Sequence, residues 1–550
     1  MNATKCAQGI AVAHATLAFS SRFRAWFPPT LLFCAALVVV WQYNPLHRTL
    51  TEDPGIFAYI SQLVADGLAP HQYAFNEQSS LTFMLGGAAM RLGDLIGLHR
   101  LLAFRAASLL LFAVTVVLTY FVGLGFTRAR IVGLLAGAIL IGFEGYGVRA
   151  ATTLEPKATM LVFGLACVWA LQKRKWFWAG AFAGAAGLAW QIAWGYLIVA
   201  LLLACVQSGS TFRARARGVG LTLGAALCVF GVYALYFVAH NAQVEMFQQT
   251  FLSPLLMHAV GGRTMLARVV QLGRTFVVGY RSHVGFGVLG ATGFVLWLGA
   301  HWRPWDIRKF FRRAFYFLFQ NRRTAGGLLV VFGFGLYSFI DFQNYPDWFP
   351  LLPHLSMFAA WVLWQLAARV IQFFKVSPET ARASYVALAL GVLVLSAAHA
   401  FLSPPPERRM KGITWEMQQR AADELNQSLG PDAAVWMIGK ADLLFFMRRQ
   451  NLNKYIYLIG NVDAAADTFE AGGFQQMFSD ALGQKPVLYV LARLQKRKFT
   501  SLANYRLVER STQEFVPLRH CKSIRSGRFF VRPDLADALF PANAKGCVRR

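Results

Sequence analysis

The segment Thr51-Glu52-Asp53-Pro54-Gly55-Ile56-Phe57-Ala58-Tyr59-Ile60 decides the fold, because it places two acidic residues just beyond the first long apolar run, residues 28–43. The first 402 residues contain only twelve Asp and Glu. An ionisable side chain beside a hydrocarbon layer carries a desolvation cost, so it marks a functional site by default. Since Glu52 and Asp53 open a loop and do not lie inside an apolar run, the pattern predicts chemistry at a membrane surface.

Composition and charge indicate a polytopic membrane protein. The 550 residues are 56% hydrophobic, and apolar stretches of about 17 to 25 residues recur, the length that crosses a hydrocarbon core. These stretches are neither alternating nor one-sided, which argues against a large soluble enzyme. The net charge of +28 does not indicate a nucleic-acid partner, because basic clusters recur in alternate loops, at residues 128–130, 173–175, 213–217 and 303–323. That distribution is typical of cytoplasmic loops.

We predict an all-α membrane domain of about eleven transmembrane helices with its N-terminus in the cytoplasm. The predicted spans are residues 28–43, 101–126, 131–147, 158–172, 176–190, 194–208, 218–240, 284–300, 326–340, 351–368 and 384–402. Residues 80–97 are apolar but contain Arg91, Asp94 and four glycines, so we interpret them as a surface or re-entrant helix. An odd number of spans places the C-terminus outside the cytoplasm, and the basic loops fit a bacterial inner membrane.

A change in composition at Ser403-Pro404-Pro405-Pro406 divides the chain into a membrane domain, residues 1–402, and a soluble domain, residues 403–550. We expect the soluble domain on the non-cytoplasmic side and predict that it is a small α/β fold. Its predicted helices are residues 414–428, 441–449 and 469–481, and its predicted strands are residues 433–438, 454–458 and 486–491. Cys521 and Cys547 of this domain could form a disulfide in an oxidising compartment. The sequence leaves this open, since their spacing alone does not fix their geometry.

The order of these features resembles the GT-C superfamily, and within it the protein O-mannosyltransferases and the lipid A aminoarabinose transferases. One span precedes a long outer loop, residues 44–100, which opens at Glu52-Asp53 and contains Ala69-Pro70-His71-Gln72-Tyr73 and Asn76-Glu77-Gln78. In the second outer loop the run from Arg149 to Glu155-Pro156 matches as well. The likeness covers mainly the first ~240 residues, and residues 341–353 resemble more loosely a short loop before a late span.

The resemblance implies an inverting glycosyltransferase, transferring a hexose or a pentose from a polyprenyl-phosphate carrier to an acceptor hydroxyl at the outer face of the membrane. Asp53 would be the general base, a role worth about 10²–10⁴-fold in rate, with the neighbouring carboxylate Glu52 beside it in the site. Glu77 and Glu155 match positions of further polar residues in the site. The catalytic loop would then be residues 44–100. The acceptor remains open between a protein, a glycolipid and a polysaccharide.

A departing lipid phosphate requires a fixed cation, and the planar fork of arginine suits two phosphate oxygens. We predict that Arg149 and Arg263 bind the donor phosphate. They are chosen from the basic residues predicted on the outer side, which are Arg149, Lys157, Arg263, Arg268, Arg274 and Arg281. The histidines have no metal-ligand spacing, so we expect no required metal or other cofactor. A divalent cation stays open, because Asp53 and Glu155 carry suitable oxygen ligands.

The main alternative is a transporter or flippase of a lipid-linked or envelope precursor, with the acids and arginines along its path. Transporters place ionisable groups at mid-membrane and show internal repeats, whereas here the acids cluster in loops. A scaffold without chemistry would leave Glu52 and Asp53 unexplained. The sequence therefore favours an enzyme, and the resemblance implies that its partners are membrane lipids and a polyprenyl-phosphate sugar.

Overall fold

In the computed structural model, the described part of the chain comprises residues 25–207, 211–254, 265–301, 322–340, 342, 344–402, 414–458, 462–492, 499, 501–519, 528–539 and 548–549. Helices dominate the first 402 residues, as the long apolar runs predict. They are α1 (Ala25–Trp41), α2 (Glu52–Ala65), α3 (Pro70–Tyr73), α4 (Leu81–Leu95), α5 (Arg100–Thr127), α6 (Arg130–Ile141), α7 (Glu144–Thr152), α8 (Pro156–Gln172), α9 (Trp176–Ala189), α10 (Trp194–Gln207), α11 (Phe212–Ala239), α12 (Gln243–Phe247), α13 (Met265–Tyr280), α14 (Val284–His301), α15 (Arg322–Ile340), α16 (Leu352–Phe373) and α17 (Pro378–Leu402).

Every predicted span overlaps one of these apolar helices. In the described part of the chain, four helices are long and apolar enough to cross a membrane by themselves, namely α5, α11, α16 and α17. The single predicted span 131–147 is wrong in shape, because α6 and α7 are separate helices that meet at 74°. Gly142 and Phe143 separate them, and α7 is far more polar than α6. The remaining apolar helices are shorter than a full crossing, so the number of spans stays a prediction.

Helix α4 contains most of the residues predicted as a surface or re-entrant helix. It has 15 residues, too few for an upright crossing of a ~30 Å hydrocarbon core. Two glycines let it lie directly against α2: a methyl group at Gly86 would overlap the Ser61 hydroxyl, and one at Gly87 would lie 2.7 Å from the Cβ atom of Val64. This close contact fixes the two helices of the first loop as one unit.

The C-terminal part is a mixed α/β fold, as predicted. Its helices are α18 (Trp415–Leu429), α19 (Ala441–Met447), α20 (Val462–Phe469), α21 (Gly473–Gly483), α22 (Leu502–Ser511) and α23 (Ala536–Leu539). Its strands are β1 (Val435–Ile438), β2 (Leu488–Leu491), β3 (Val516–Arg519), β4 (Arg528–Val531) and β5 (Val548–Arg549). They form one sheet in the order β1-β2-β4-β3-β5. The β1–β2 pair is parallel, and the other pairs are antiparallel.

The predicted strand at residues 454–458 is wrong. The carbonyl of Ile456 accepts a bond from Gly439 just beyond β1, whereas the carbonyl of Lys454 accepts one from Phe75 of the first loop, at 2.6 Å. Because its backbone bonds are divided between two partners, the segment forms no continuous ladder. It instead joins the C-terminal fold to the loop that contains Asp53.

A single hydrophobic core spans this junction. Phe57, Tyr59 and Phe75 of the first loop are buried in the same cluster as Trp436 and Phe446 of the C-terminal fold. The rings of Phe75 and Tyr455 stack with centroids 5.2 Å apart. Burial of apolar surface stabilises by roughly 25 cal/mol per Å², so the loop and the C-terminal fold stabilise each other.

The packing of α9 on α11 gives a test of the fold. A methyl group at Gly180 would overlap the carbonyl oxygen of Thr222, whereas one at Gly220 would meet nothing within 4 Å. We expect Gly180→Ala to lower the free energy of unfolding by about 1–3 kcal/mol, the usual cost of overpacking. Gly220→Ala should leave it unchanged or raise it by up to about 1 kcal/mol, since alanine favours helices. Thermal unfolding of both variants in detergent, followed by tryptophan fluorescence, measures the difference, and equal shifts would contradict this packing.

Candidate functional site

One guanidinium joins two of the four carboxylates that the sequence predicts for the site. Nη2 of Arg149 donates to Oδ2 of Asp53 at 2.8 Å, and its Nε donates to Oε2 of Glu155 at 2.7 Å. The Glu155 side chain is 4% exposed, that of Arg149 is 19% exposed and that of Asp53 is 48% exposed. The cluster therefore runs from a buried end at Glu155 to an accessible end at Asp53.

The local structure explains how the three side chains meet. Asp53 lies in the first turn of α2, where the helix dipole favours a negative charge. Arg149 lies in the last turn of α7, and the bend between α6 and α7 carries it towards α2. Glu155 is the N-cap residue of α8 and precedes Pro156 at the first helical position, a placement that proline favours. Two short loops thus bring the acids to one cation.

A second buried ion pair lies next to the first. Nζ of Lys157 pairs with Oδ1 of Asp347 and sits 5.3 Å from the centre of the Trp190 ring. The other oxygen of Asp347 accepts the backbone N–H of Asn344 at 2.9 Å, which caps the single helical turn Tyr345–Trp348. Burial raises the pKa of Tyr345, and the nearby charge of Arg149 opposes that rise. A late loop of the chain is thereby attached to the Asp53 cluster.

The carboxyl of Glu155 is electrostatically unusual. Burial raises its pKa, and the nearby charges of Arg149 and Lys157 oppose that rise without cancelling it. A buried carboxylate is tolerated when it is paired and hydrogen-bonded. Arg149 and Lys157 thus stabilise the charged form of Glu155 in buried surroundings that disfavour it.

Glu77 lies at the edge of the same region. Its backbone carbonyl accepts a bond from Nε2 of Gln191 at 2.6 Å, the residue that marks the turn between α9 and α10. Tyr457 of the C-terminal fold is buried, and its pKa is raised first by that burial and then by the charges of Glu77 and Asp53. One tyrosine is therefore within electrostatic reach of both acids.

The structure brings together Asp53, Arg149 and Glu155, and it places Glu77 nearby through Tyr457. The Glu52 side chain and Arg263 lie outside the described residues. Arg149, predicted to bind a phosphate, contacts two carboxylates, so a phosphate there would share the guanidinium with them. Sequence reasoning did not select Lys157, Tyr345, Asp347 or Tyr457 as site residues, although Lys157 was among the outer-side cations. Within the described ranges, no group of three or more His, Cys, Asp or Glu side chains is arranged to hold a metal ion.

A buried histidine fixes the loop that contains Glu77. Nδ1 of His71 contacts Oε1 of Gln249 at 3.1 Å, and its Nε2 contacts the Ser80 hydroxyl at 2.7 Å. The Gln249 side chain also donates to the His71 carbonyl and accepts from the Asn76 backbone N–H. Burial lowers the pKa of His71 to about 4, with the bond to Gln249 acting in the opposite direction. The neutral ring thus holds the two ends of the 71–80 segment together.

An apolar groove of about 790 Å³ begins a few residues after Glu77. It lies between the α2–α4 unit and the helices α9 and α11. Its lining residues are Val64, Gly67, Leu81, Met84, Gly87, Ala88, Arg91, Leu188, Cys228, Val229, Val232, Tyr233, Tyr236 and His240. Almost all of these side chains are hydrocarbon or aromatic, and Arg91 and His240 are the ones that bear nitrogen. The shape and lining suit a hydrocarbon chain.

Comparison of the structure with solved structures defines the fold class. The chain has the GT-C fold of membrane glycosyltransferases. It is similar to ArnT from Cupriavidus metallidurans bound to undecaprenyl phosphate, with a TM-score of 0.56 and 14% sequence identity over 91% of this chain and 97% of that one. The apo form of the same ArnT matches with a TM-score of 0.53 and 13% identity, with the same coverage of both chains. No protein-family model and no curated protein matches the sequence.

The lowered pKa of His71 predicts a pH effect on stability. The usual value for an unfolded chain is about 6.5, so between pH 6.5 and 4 the unfolded chain binds more protons at this position than the folded protein. Stability should therefore fall as the pH drops through this window, by up to about 1.4 kcal/mol per pH unit.

We expect His71→Gln to remove that part of the slope, and the exposed His47→Gln to keep it, in thermal unfolding measured across the window. Parallel pH profiles for His71→Gln and the wild type would contradict a neutral, buried His71.

Proposed function

We propose that this protein is an inverting glycosyltransferase that moves a sugar from a polyprenyl-phosphate carrier to an acceptor hydroxyl at the outer face of the membrane. The observation that carries the proposal is the ion-paired cluster of Asp53, Arg149 and Glu155 within a GT-C fold that extends over 91% of the chain. The sugar is a hexose or a pentose, and the acceptor is a protein, a glycolipid or a polysaccharide. The site lies on the periplasmic side of a bacterial inner membrane, with the N-terminus in the cytoplasm.

Asp53 acts as the general base in this mechanism. It is the most exposed acid of the cluster, and a base must reach the proton that it removes. The acceptor oxygen attacks the anomeric carbon and forms the new glycosidic bond, while the bond from that carbon to the phosphate oxygen breaks. The acceptor proton moves to the Asp53 carboxylate, and the polyprenyl phosphate leaves with the bonding electron pair. Attack from the face opposite the phosphate inverts the anomeric centre.

Arg149 and Lys157 supply positive charge for the departing phosphate. Both are partly buried, and charge-assisted hydrogen bonds are stronger in such surroundings than in water. Arg149 already donates hydrogen bonds to two carboxylates, so it orients the Asp53 side chain. In the complex with the donor it also lies close to the phosphate and stabilises its negative charge. No step of the mechanism requires a metal ion or another cofactor.

The groove beside α4 holds the isoprenoid tail of the donor. One of its lining residues, Leu81, follows Glu77 by four positions in the sequence. The groove is lined by hydrocarbon, and it borders α11, one of the helices long enough to cross a membrane. The ArnT structure with a matching fold contains undecaprenyl phosphate, which supports a lipid of this class. A transporter would need a path through the membrane, whereas the charged cluster lies at the ends of short loops.

Replacing the general base tests the reaction. We expect Asp53→Asn to lower transfer from a labelled polyprenyl-phosphate sugar by about 10²–10⁴-fold, because the amide cannot take the acceptor proton. Transfer is measured in membranes that contain equal amounts of folded protein, with a panel of donor sugars and cell-envelope acceptors.

Asp66→Asn is the matched control, since Asp66 ends the same helix, is 40% exposed and is also paired with an arginine, Arg100. It should retain near-normal transfer. Equal losses in both variants would remove Asp53 from the chemistry. Absence of transfer from every donor in the wild type would favour the transporter instead.

Blocking the groove tests the lipid site. Cys228 lines the groove, whereas the neighbouring Leu227 on α11 is exposed and does not. We expect Cys228→Trp to raise KM at least tenfold for a long-chain donor and to change it little for a donor with a short isoprenoid, because only the long chain must enter the groove. Leu227→Trp should leave KM unchanged for both donors. If the two donors are affected alike, the tail does not bind there.

A further inference from the structure

Residues 46–50, which precede the N-cap residue of α2, are held from two directions. From the membrane domain, the guanidinium of Arg105 on α5 donates to the carbonyl of Leu46 at 2.9 Å, of Arg48 at 2.6 Å and of Thr49 at 3.5 Å. Arg105 is only 1% exposed. A buried guanidinium that bonds three carbonyls within four residues fixes the path of that backbone, since its donors have a rigid planar arrangement.

From the C-terminal fold, the side chain of Gln418 on α18 holds the last residue of this segment. Its Oε1 accepts the backbone N–H of Leu50 at 2.8 Å, and its Nε2 donates to the carbonyl of the same residue, also at 2.8 Å. Two neighbouring contacts also join α18 to this segment. The backbone N–H of Trp415 donates to the His47 carbonyl at 3.4 Å, and the Glu416 carboxylate pairs with the exposed His47 ring. A single amide therefore satisfies both backbone groups of Leu50.

Helix α2 depends on this anchoring for the position of its first turn. Thr51 is its N-cap residue, and the Thr51 side chain makes no capping hydrogen bond. Such a cap is normally worth about 1 kcal/mol. Gly55, one turn into the helix, touches α19: a methyl group there would lie 2.9 Å from the backbone nitrogen of Asp442. Asp442 itself accepts a longer bond from Gln418, at 3.4 Å. The start of α2, with Asp53, is thus located by groups outside the helix.

We propose that Arg105 and Gln418 form a two-sided clamp on residues 46–50 and act as positioning residues for Asp53. Through Gln418, the C-terminal fold contributes to the geometry of a site whose charged cluster belongs to the membrane domain. The activity readout of this proposal rests on the proposed function, in which Asp53 is the base. Misplacing a catalytic group by about 1 Å can cost about 10²-fold in rate.

The test compares Gln418→Met with Gln427→Met in the full-length protein. Methionine keeps the length of glutamine but neither donates nor accepts as the amide does. Gln427 lies on the same helix and is exposed, so its replacement should change nothing. Hydrogen exchange of the backbone over residues 46–58 is followed by mass spectrometry, and kcat and KM are measured for sugar transfer. Thermal unfolding shows that each variant is folded.

The clamp predicts that Gln418→Met speeds exchange over residues 46–58 by about tenfold, the effect of losing about one net hydrogen bond. It also predicts that kcat falls by about 10- to 100-fold while KM changes less than threefold, because substrate binding does not involve Gln418. Arg105→Lys loses the planar fork of the guanidinium, so it should also speed hydrogen exchange of the same segment. Fast exchange confined to this segment, with a loss in kcat, would support the proposal.

Unchanged exchange over residues 46–58 in Gln418→Met would overturn the clamp. Faster exchange with an unchanged kcat would overturn the positioning of Asp53. If Gln418→Met does not fold, Arg105→Lys decides between these outcomes by the same two measurements. A wild-type protein without transfer would contradict the proposed function, and exchange alone would then decide whether the clamp exists.

Discussion

The constraint on which this structure depends is that two carboxylates must share one arginine at the edge of an apolar domain. Asp53 and Arg149 are 96 residues apart in sequence, and Glu155 would be costly to bury without the guanidinium beside it. The bend between α6 and α7, the proline that starts α8 and the docking of α4 on α2 all serve to place these three groups. The pair of Lys157 and Asp347 extends the same arrangement to a late loop. The loop that contains Asp53 is therefore held in place by buried contacts with several distant segments.

Much of this arrangement could be predicted from the sequence because charges are scarce in the first 402 residues. An acid such as Asp53 or Glu155 is conspicuous among apolar runs, and length and hydropathy identify most helices. The position of α4 was also predictable, since Arg91, Asp94 and its glycines do not suit a span. The order of these features along the chain predicts the GT-C fold. The comparison with solved structures confirms that fold.

The partners of these residues could not be predicted, because the spacing of residues does not encode contacts between distant segments. Arg149 was assigned to a phosphate, yet its described hydrogen bonds are with carboxylates. Lys157 and Asp347 are 190 residues apart, and Tyr457 reaches the site only because the C-terminal fold docks on the first loop. The strand predicted at residues 454–458 has suitable side chains, but one of its carbonyls bonds Phe75. The pairing of Cys521 with Cys547 stays open, since both lie outside the described residues.

The core shared by the first loop and the C-terminal fold has a consequence for biosynthesis. Leu50 and Gln418 are 368 residues apart, so at roughly 5–20 residues per second the ribosome needs about 20–70 s to make the second after the first. During that interval Phe57, Tyr59 and Phe75 lack their final partners. The helical domain can form without an organised first loop, and that loop reaches its final packing only when the end of the chain has been made. A chain interrupted before α18 would thus have its helical domain but remain incomplete at the site.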